Sequence, residues 1–267
     1  MSETRSGPTD TPDPPADRAT GARANGARSN PLTRAVILTA ALEMIDRDSV
    51  DRLSMRRLAE VLGRDPMVLY RHTASKAALL DGVTEIVLDQ LTIDTGDRDW
   101  RHQLRVIARD FRRLSVAHPN VVPLLVIHPL ATPLGLQPLG TLRPLEHILE
   151  LLTRADFSSA DALHIYRALF GFLYGHILNE RQEIVEQPEE VTDLLRLGLQ
   201  RLPLGEFPLL RELAPVLAAY DGALELERGL DILLTGLTQT MAITANDSTE
   251  NIAAEQQWDS EGGAVLR

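Results

Sequence analysis

The 267-residue chain contains no cysteine. That excludes disulfides, thiolate nucleophiles, Cys-ligated zinc and Fe–S clusters. Aromatics make up only 4%, so aliphatic side chains must build the core. Long apolar runs are missing too. None reaches the roughly 18 residues of a membrane span, and the N-terminus has no apolar signal-peptide core. Lysine is nearly absent: of 27 basic residues only Lys76 is Lys. The chain shows no Ser-His-Asp set, no paired carboxylates at useful spacing and no phosphate-cradling Gly loop. Glu189 and Glu190, beside Pro188, read as a solvated helix start. No three ligands stand at metal spacing. These absences predict a soluble, cytoplasmic protein that is not an enzyme, with no membrane, metal or cofactor partner.

What is present points elsewhere. The net charge is −11, which argues against a general nucleic-acid binder. Yet residues 28–80 carry nine Arg/Lys against six acids. A small basic module on an acidic body suits a protein that presents one end to a polyanion. On charge alone, chance clustering explains this equally well.

Residues 1–30 are rich in Pro, Gly, Ser, Thr and Asp and read as a disordered arm. Arg18, Arg23 and Arg28 can reach a DNA backbone or minor groove, although a solvated tail is the simpler reading. Residues 243–267 read as a flexible tail. Between the tails, helical periodicity is nearly continuous and no sustained strand alternation appears, so the fold class is all-α. The first helix runs from Pro31, with Ile37, Ala41, Met44 and Ile45 inward. Ser54 caps a second and Gly63 ends it; a short helix from Asp65 to His72 follows. Ser75 caps a longer one, and Trp100 to Leu114 marks another. Further helices are expected near 120–127, 138–154, 159–183, 189–201, 208–219 and 221–242.

The segment 54–73, SMRRLAEVLGRDPMVLYRHT, holds a short helix, a Gly-containing turn and a second short helix. That is helix-turn-helix grammar, in which the second helix enters the major groove. Leu58, Ala59, Leu62 and Val68 or Leu69 hold the two together. Arg56, Arg57, Pro66, Met67, Tyr70, Arg71 and His72 are left outward. Apolar side chains there meet thymine methyls, Arg reaches guanine, and Tyr70, His72 and Lys76 donate to phosphates. A purely structural helix pair is the competing reading.

Residues Arg34 to Leu91 resemble the DNA-binding domain of the tetracycline-repressor (TetR) family. Ala40-Ala41-Leu42, Ser54-Met55-Arg56-Arg57-Leu58-Ala59, Leu62-Gly63, Leu69-Tyr70-Arg71-His72, Lys76 and Leu79-Leu80 carry the likeness. It implies that Arg56 touches a base or phosphate, that Pro66, Met67 and Val68 face base edges, and that Tyr70, His72 and Lys76 face backbone. The chain departs at Arg71, where the tetracycline repressor has an aromatic. A weaker likeness continues through Asp99-Trp100-Arg101, His118-Pro119, Phe157-Ser158, Ala162-Leu163, Gly175, Leu226–Leu230 and Gly236-Leu237. The resemblance thus implies an N-terminal three-helix helix-turn-helix domain over 31–92 and a C-terminal helical-bundle sensing and dimerisation domain over 95–242.

The helix near 159–182 is apolar on nearly every side, so it must be buried on two faces. Leu169, Gly171, Phe172 and Gly175 there, with Leu226, Leu230, Leu233 and Leu237, are the expected homodimer interface. The segment His128–Pro138 is apolar but broken by proline and cannot be one helix. Leu134 and Leu136 are expected as walls of an effector cavity, with His128 or Gln137 as polar anchors. His164 and His176, on the apolar helix, read as satisfied core groups or as pocket donors. The function expected is a ligand-responsive repressor, binding double-stranded palindromic operator DNA as a homodimer and released by a small-molecule effector. An activator of the same family, or an all-α enzyme, are the alternatives.

Overall fold

A computed structural model describes residues 31–127, 133–183 and 197–239. The arm, the tail and His128 lie outside the described residues. The architecture is all-α, with no strand among the described residues. Its helices are α1 (Arg34–Asp48), α2 (Met55–Val61), α3 (Pro66–Tyr70), α4 (Lys76–Leu88), α5 (Trp100–Ala117), α6 (Leu139–Arg154), α7 (Ser159–Glu183), α8 (Pro208–Glu212), α9 (Ala214–Ala218) and α10 (222–239). A π-type turn, Pro123–Ile127, and a 3-10 turn, Leu134–Leu136, lie between α5 and α6.

Local chemistry fixes the N-terminal helix starts. Thr33, Ser54, Asp65 and Ser75 each sit in extended backbone and accept from an N–H in the first turn, at 3.3, 3.2, 2.7 and 3.1 Å. Pro66 adds a preset φ at the start of α3. Gly63, at φ +62°, makes the turn between α2 and α3, where a Cβ would be strained. Ile37, Leu38, Ala41, Met44 and Ile45 of α1 pack with Leu58, Ala59 and Leu69 and with Leu79, Val83 and Val87 of α4. Gly82 permits the α1–α4 approach: a Cβ there would lie 2.6 Å from Leu38 Cδ2.

In the C-terminal part, α6, α7 and α5 pack around Leu104, Ile107, Phe111, Ile148, Leu151, Ile165 and Leu173. The few aromatics cluster: Phe111 meets Phe170 edge-on at 5.7 Å, and Phe170 meets Tyr166 at 4.6 Å. Proline explains two departures from the expected helices. The stretch near 120–127 forms a π-type turn starting at Pro123, which has no N–H to give. The helix expected over 208–219 breaks at Leu213 into α8 and α9, and Pro215 sits in the first turn of α9. Of the stretch expected over 189–201, only 197–200 is described, as helix.

Candidate nucleic-acid interface

Helix α3 is anchored by one buried side chain, Leu69, and presents the rest outward. Met67 is 70% exposed, and Tyr70, Arg71 and His72 are exposed beside it. Pro66 and Val68 are half-buried. A large apolar side chain in water beside arginine and tyrosine is the surface a major groove uses, because it offers contact to thymine methyls and donors to phosphate and guanine.

The three remaining basic residues are not equivalent. Arg56 stands in solvent and pairs with Glu60 at 3.0 Å, one turn on. Arg57 instead braces the chain, donating to Asp48 Oδ2 at 2.9 Å and to the Arg52 carbonyl at 2.9 Å. Hydrogen bonds from Arg47 and then Arg57 hold the Asp48 carboxyl below its ordinary range. Lys76 turns its ammonium toward the Val50 carbonyl, at 3.4 Å, which ties the start of α4 to the α1–α2 loop.

The helix-turn-helix unit is joined to the helices that follow it at two polar contacts. In the first, His118 Nδ1 lies 2.8 Å from Asp46 Oδ2, and Asn120 donates to the Asp46 carbonyl at 2.9 Å. In the second, Glu85 of α4 accepts from Arg143 of α6 at 2.7 Å and from Arg34 of α1 at 3.3 Å. Gly140 lets α6 close over that carboxylate: a Cβ there would sit 2.5 Å from Glu85 Cδ. Nothing in the histidine spacing pointed to the His118 contact, because its partner is 72 residues away.

Of the expected effector residues, His128 lies outside the described residues. Leu136 is 75% exposed, the side chain of Leu134 is outside the described set, and Gln137 is half-buried. His164 is exposed, so it is not a core group. His176 is buried and bonds to the backbone at Gly222, while its Nε2 makes no hydrogen bond. It lies 3.6 Å from Glu180 Oε2, and Glu180 is clamped by the Arg112 guanidinium. Burial holds the His176 imidazole below its ordinary pKa of 6.5, since charging it there costs hydration. Burial, with the neighbouring Tyr166 phenol, pushes the Tyr174 hydroxyl far above its ordinary range. Among the described residues, no group of three His, Asp or Glu side chains is disposed to hold a metal. None of the described helices is long and apolar enough to cross a membrane.

Residues named for a dimer face divide. Leu169, Leu226 and Leu230 are fully buried inside the single chain, together with Leu234, and cannot be the side chains a partner meets. Phe172 packs against Gly229 of α10. Gly171 and Gly175 lie on an exposed side of α7, with nothing within 4 Å of a Cβ at either. Leu233 and Leu237 are half-buried, while Leu224 and Ile232, the latter 77% exposed, face outward from α10.

Comparison with known proteins agrees with this layout. Residues 93–241 match the tetracyclin repressor-like, C-terminal domain family. The tetracycline repressor protein class C of Escherichia coli is 30% identical over 219 residues, covering 80% of this chain and 94% of that protein. The chain belongs to the tetracycline-repressor family. Within it, the Streptomyces coelicolor protein ActR, solved in complex with actinorhodin, superposes with a TM-score of 0.67 at 28% identity, over 79% of this chain and 99% of that one. Class D of the repressor from Escherichia coli is 29% identical over 228 residues, 80% of this chain and 94% of that protein. The chain is accordingly a transcriptional regulator of the tetracycline-repressor family, with a helix-turn-helix unit and a helical C-terminal domain.

Proposed function

We propose that the chain is a ligand-released repressor that binds a near-palindromic operator as a homodimer. The observation that carries this is the α3 surface: an exposed Met67, Tyr70 and Arg71 on a short helix pinned by Leu69. Arg56 and Arg71 are assigned to bases, Pro66, Met67 and Val68 to base edges, and Tyr70, His72 and Lys76 to backbone. Lys76 must release the Val50 carbonyl to reach a phosphate. Arg57 supports the start of α2 from behind.

Two-fold symmetry is what a short helix needs for specificity, because a second α3 one helical turn away, about 34–36 Å, doubles the bases read. The open side of α7 at Gly171 and Gly175, with Leu224 and Ile232 on α10, supports a partner helix pair packing there. ActR, in complex with actinorhodin, supports a small-molecule effector for this chain too. To move a DNA-competent population from 99:1 to 1:99, the effector must prefer the released state by about 5.5 kcal/mol. A mobility shift with DNA from the chain's own promoter region tests the repressor reading. A retained band that a Met67→Ala and Arg71→Ala double variant loses is the expected result; no band at low salt contradicts it.

A further inference from the structure

A cavity of about 240 Å³ opens between the last turns of α5 and α7. Ser115, Val116 and Pro119 line it from α5 and the turn after it; Ile177, Glu180 and Arg181 line it from α7. This is not the Pro-broken segment that the sequence singles out. Its volume lies below the roughly 300–1,000 Å³ of drug-sized sites, so it suits only a small ligand.

The lining states what kind of molecule fits. Val116, Pro119 and Ile177 supply apolar surface. The polar groups are mainly acceptors. Glu180 is only 4% exposed, and its carboxylate borders the space. Ser115 spends its proton on the Phe111 carbonyl at 2.8 Å, which leaves the hydroxyl oxygen as an acceptor. Helix α5 ends close by, with its carbonyl-rich terminus. Net charge is nearly balanced. Arg112 neutralises Glu180, and Arg181 sits at the rim, donating to the Pro119 carbonyl at 2.5 Å. A cation would meet the two guanidinium groups. An anion would meet the carboxylate and the α5 terminus. A neutral donor meets neither penalty. Buried His176 stands behind Glu180, its Nε2 3.6 Å from Oε2.

The geometry points to this cavity as the effector seat, taking an uncharged, largely apolar molecule whose hydroxyl donates to Glu180. The inference rests on the ligand-control reading above. Its link to DNA binding is short: Pro119 lies between His118 and Asn120, the two residues bonded to Asp46 of α1. A ligand that displaces Pro119 therefore strains the joint holding the helix-turn-helix unit.

Naphthol is the probe, titrated calorimetrically into the full chain and compared with methoxynaphthalene, which keeps the rings and lacks the donor. Naphthol is expected to bind once per chain and the ether at least tenfold more weakly. Val116→Trp, at a half-exposed position on the rim, should abolish naphthol binding. A crystal structure of the naphthol complex answers the same question without substitution. Equal affinity for naphthol and the ether, binding indifferent to Val116→Trp, or naphthol seated elsewhere would each overturn the assignment. Naphthol that binds here yet leaves operator affinity unchanged keeps the cavity and overturns the ligand-control reading instead.

Discussion

At the scale of single residues, position and partner separate side chains that the sequence treats alike. Arg56 and Arg57 are neighbours, yet one stands in solvent and the other ties α2 to Asp48. Arg56→Ala is expected to cost about 1–3 kcal/mol of operator affinity and to relax preference at one base pair. Lys76→Ala should weaken binding to every sequence and lower the salt slope by about one unit. Titrations on operator and mutated operator at several salt concentrations check both; equal, sequence-independent losses remove the base-reading role of Arg56. His176 gives a pH prediction. Its folded pKa lies below the ordinary 6.5, so the unfolded chain binds the proton more readily. The stability from the neutral imidazole is complete above about 6.5 and is lost as pH falls through the folded pKa. Melting temperatures should drop over that acid range, and more steeply for the wild type than for His176→Gln. Parallel profiles would show that His176 is not responsible.

At the scale of elements, helix spacing was legible because period 3.6 and capping residues are local properties. Ser54, Gly63, Asp65 and Ser75 mark helix ends in the sequence, and they do so in the fold. The faces were less legible. Leu226 and Leu230 sit on an apolar stripe, but a stripe does not say whether its neighbour is the same chain or another. Here it is the same chain, and Ile232 and Leu224 are left outside. Long-range pairs such as His118 with Asp46, and Arg112 with Glu180, leave no periodic trace and so could not be read at all.

Two glycines turn this into tests. Gly140→Ala should lower stability by about 1–3 kcal/mol, because its Cβ meets Glu85 where α6 crosses α4, whatever the oligomeric state. An unchanged denaturation midpoint would contradict it. Gly175→Leu meets nothing within its own chain. The variant should keep its helical circular dichroism and yet dimerise at least tenfold more weakly, about 1.4 kcal/mol, because the added side chain blocks a partner's approach. Light scattering that finds the variant fully dimeric moves the interface elsewhere.

At the scale of the molecule, an acidic C-terminal body carries a locally basic helix-turn-helix unit, and two polar joints connect them. The −11 charge disfavours non-specific DNA binding, so the proposed operator affinity rests on a fitted surface rather than on charge. Binding should therefore be strongly sequence-selective. The most direct test is genome-wide footprinting of the purified protein. Sites should be protected as near-palindromes, with half-site centres one helical turn apart. They should disappear together when Met67 and Arg71 are both replaced by alanine. Protection of isolated half-sites, or palindromic sites that survive the double replacement, would contradict a dimer that reads DNA through α3.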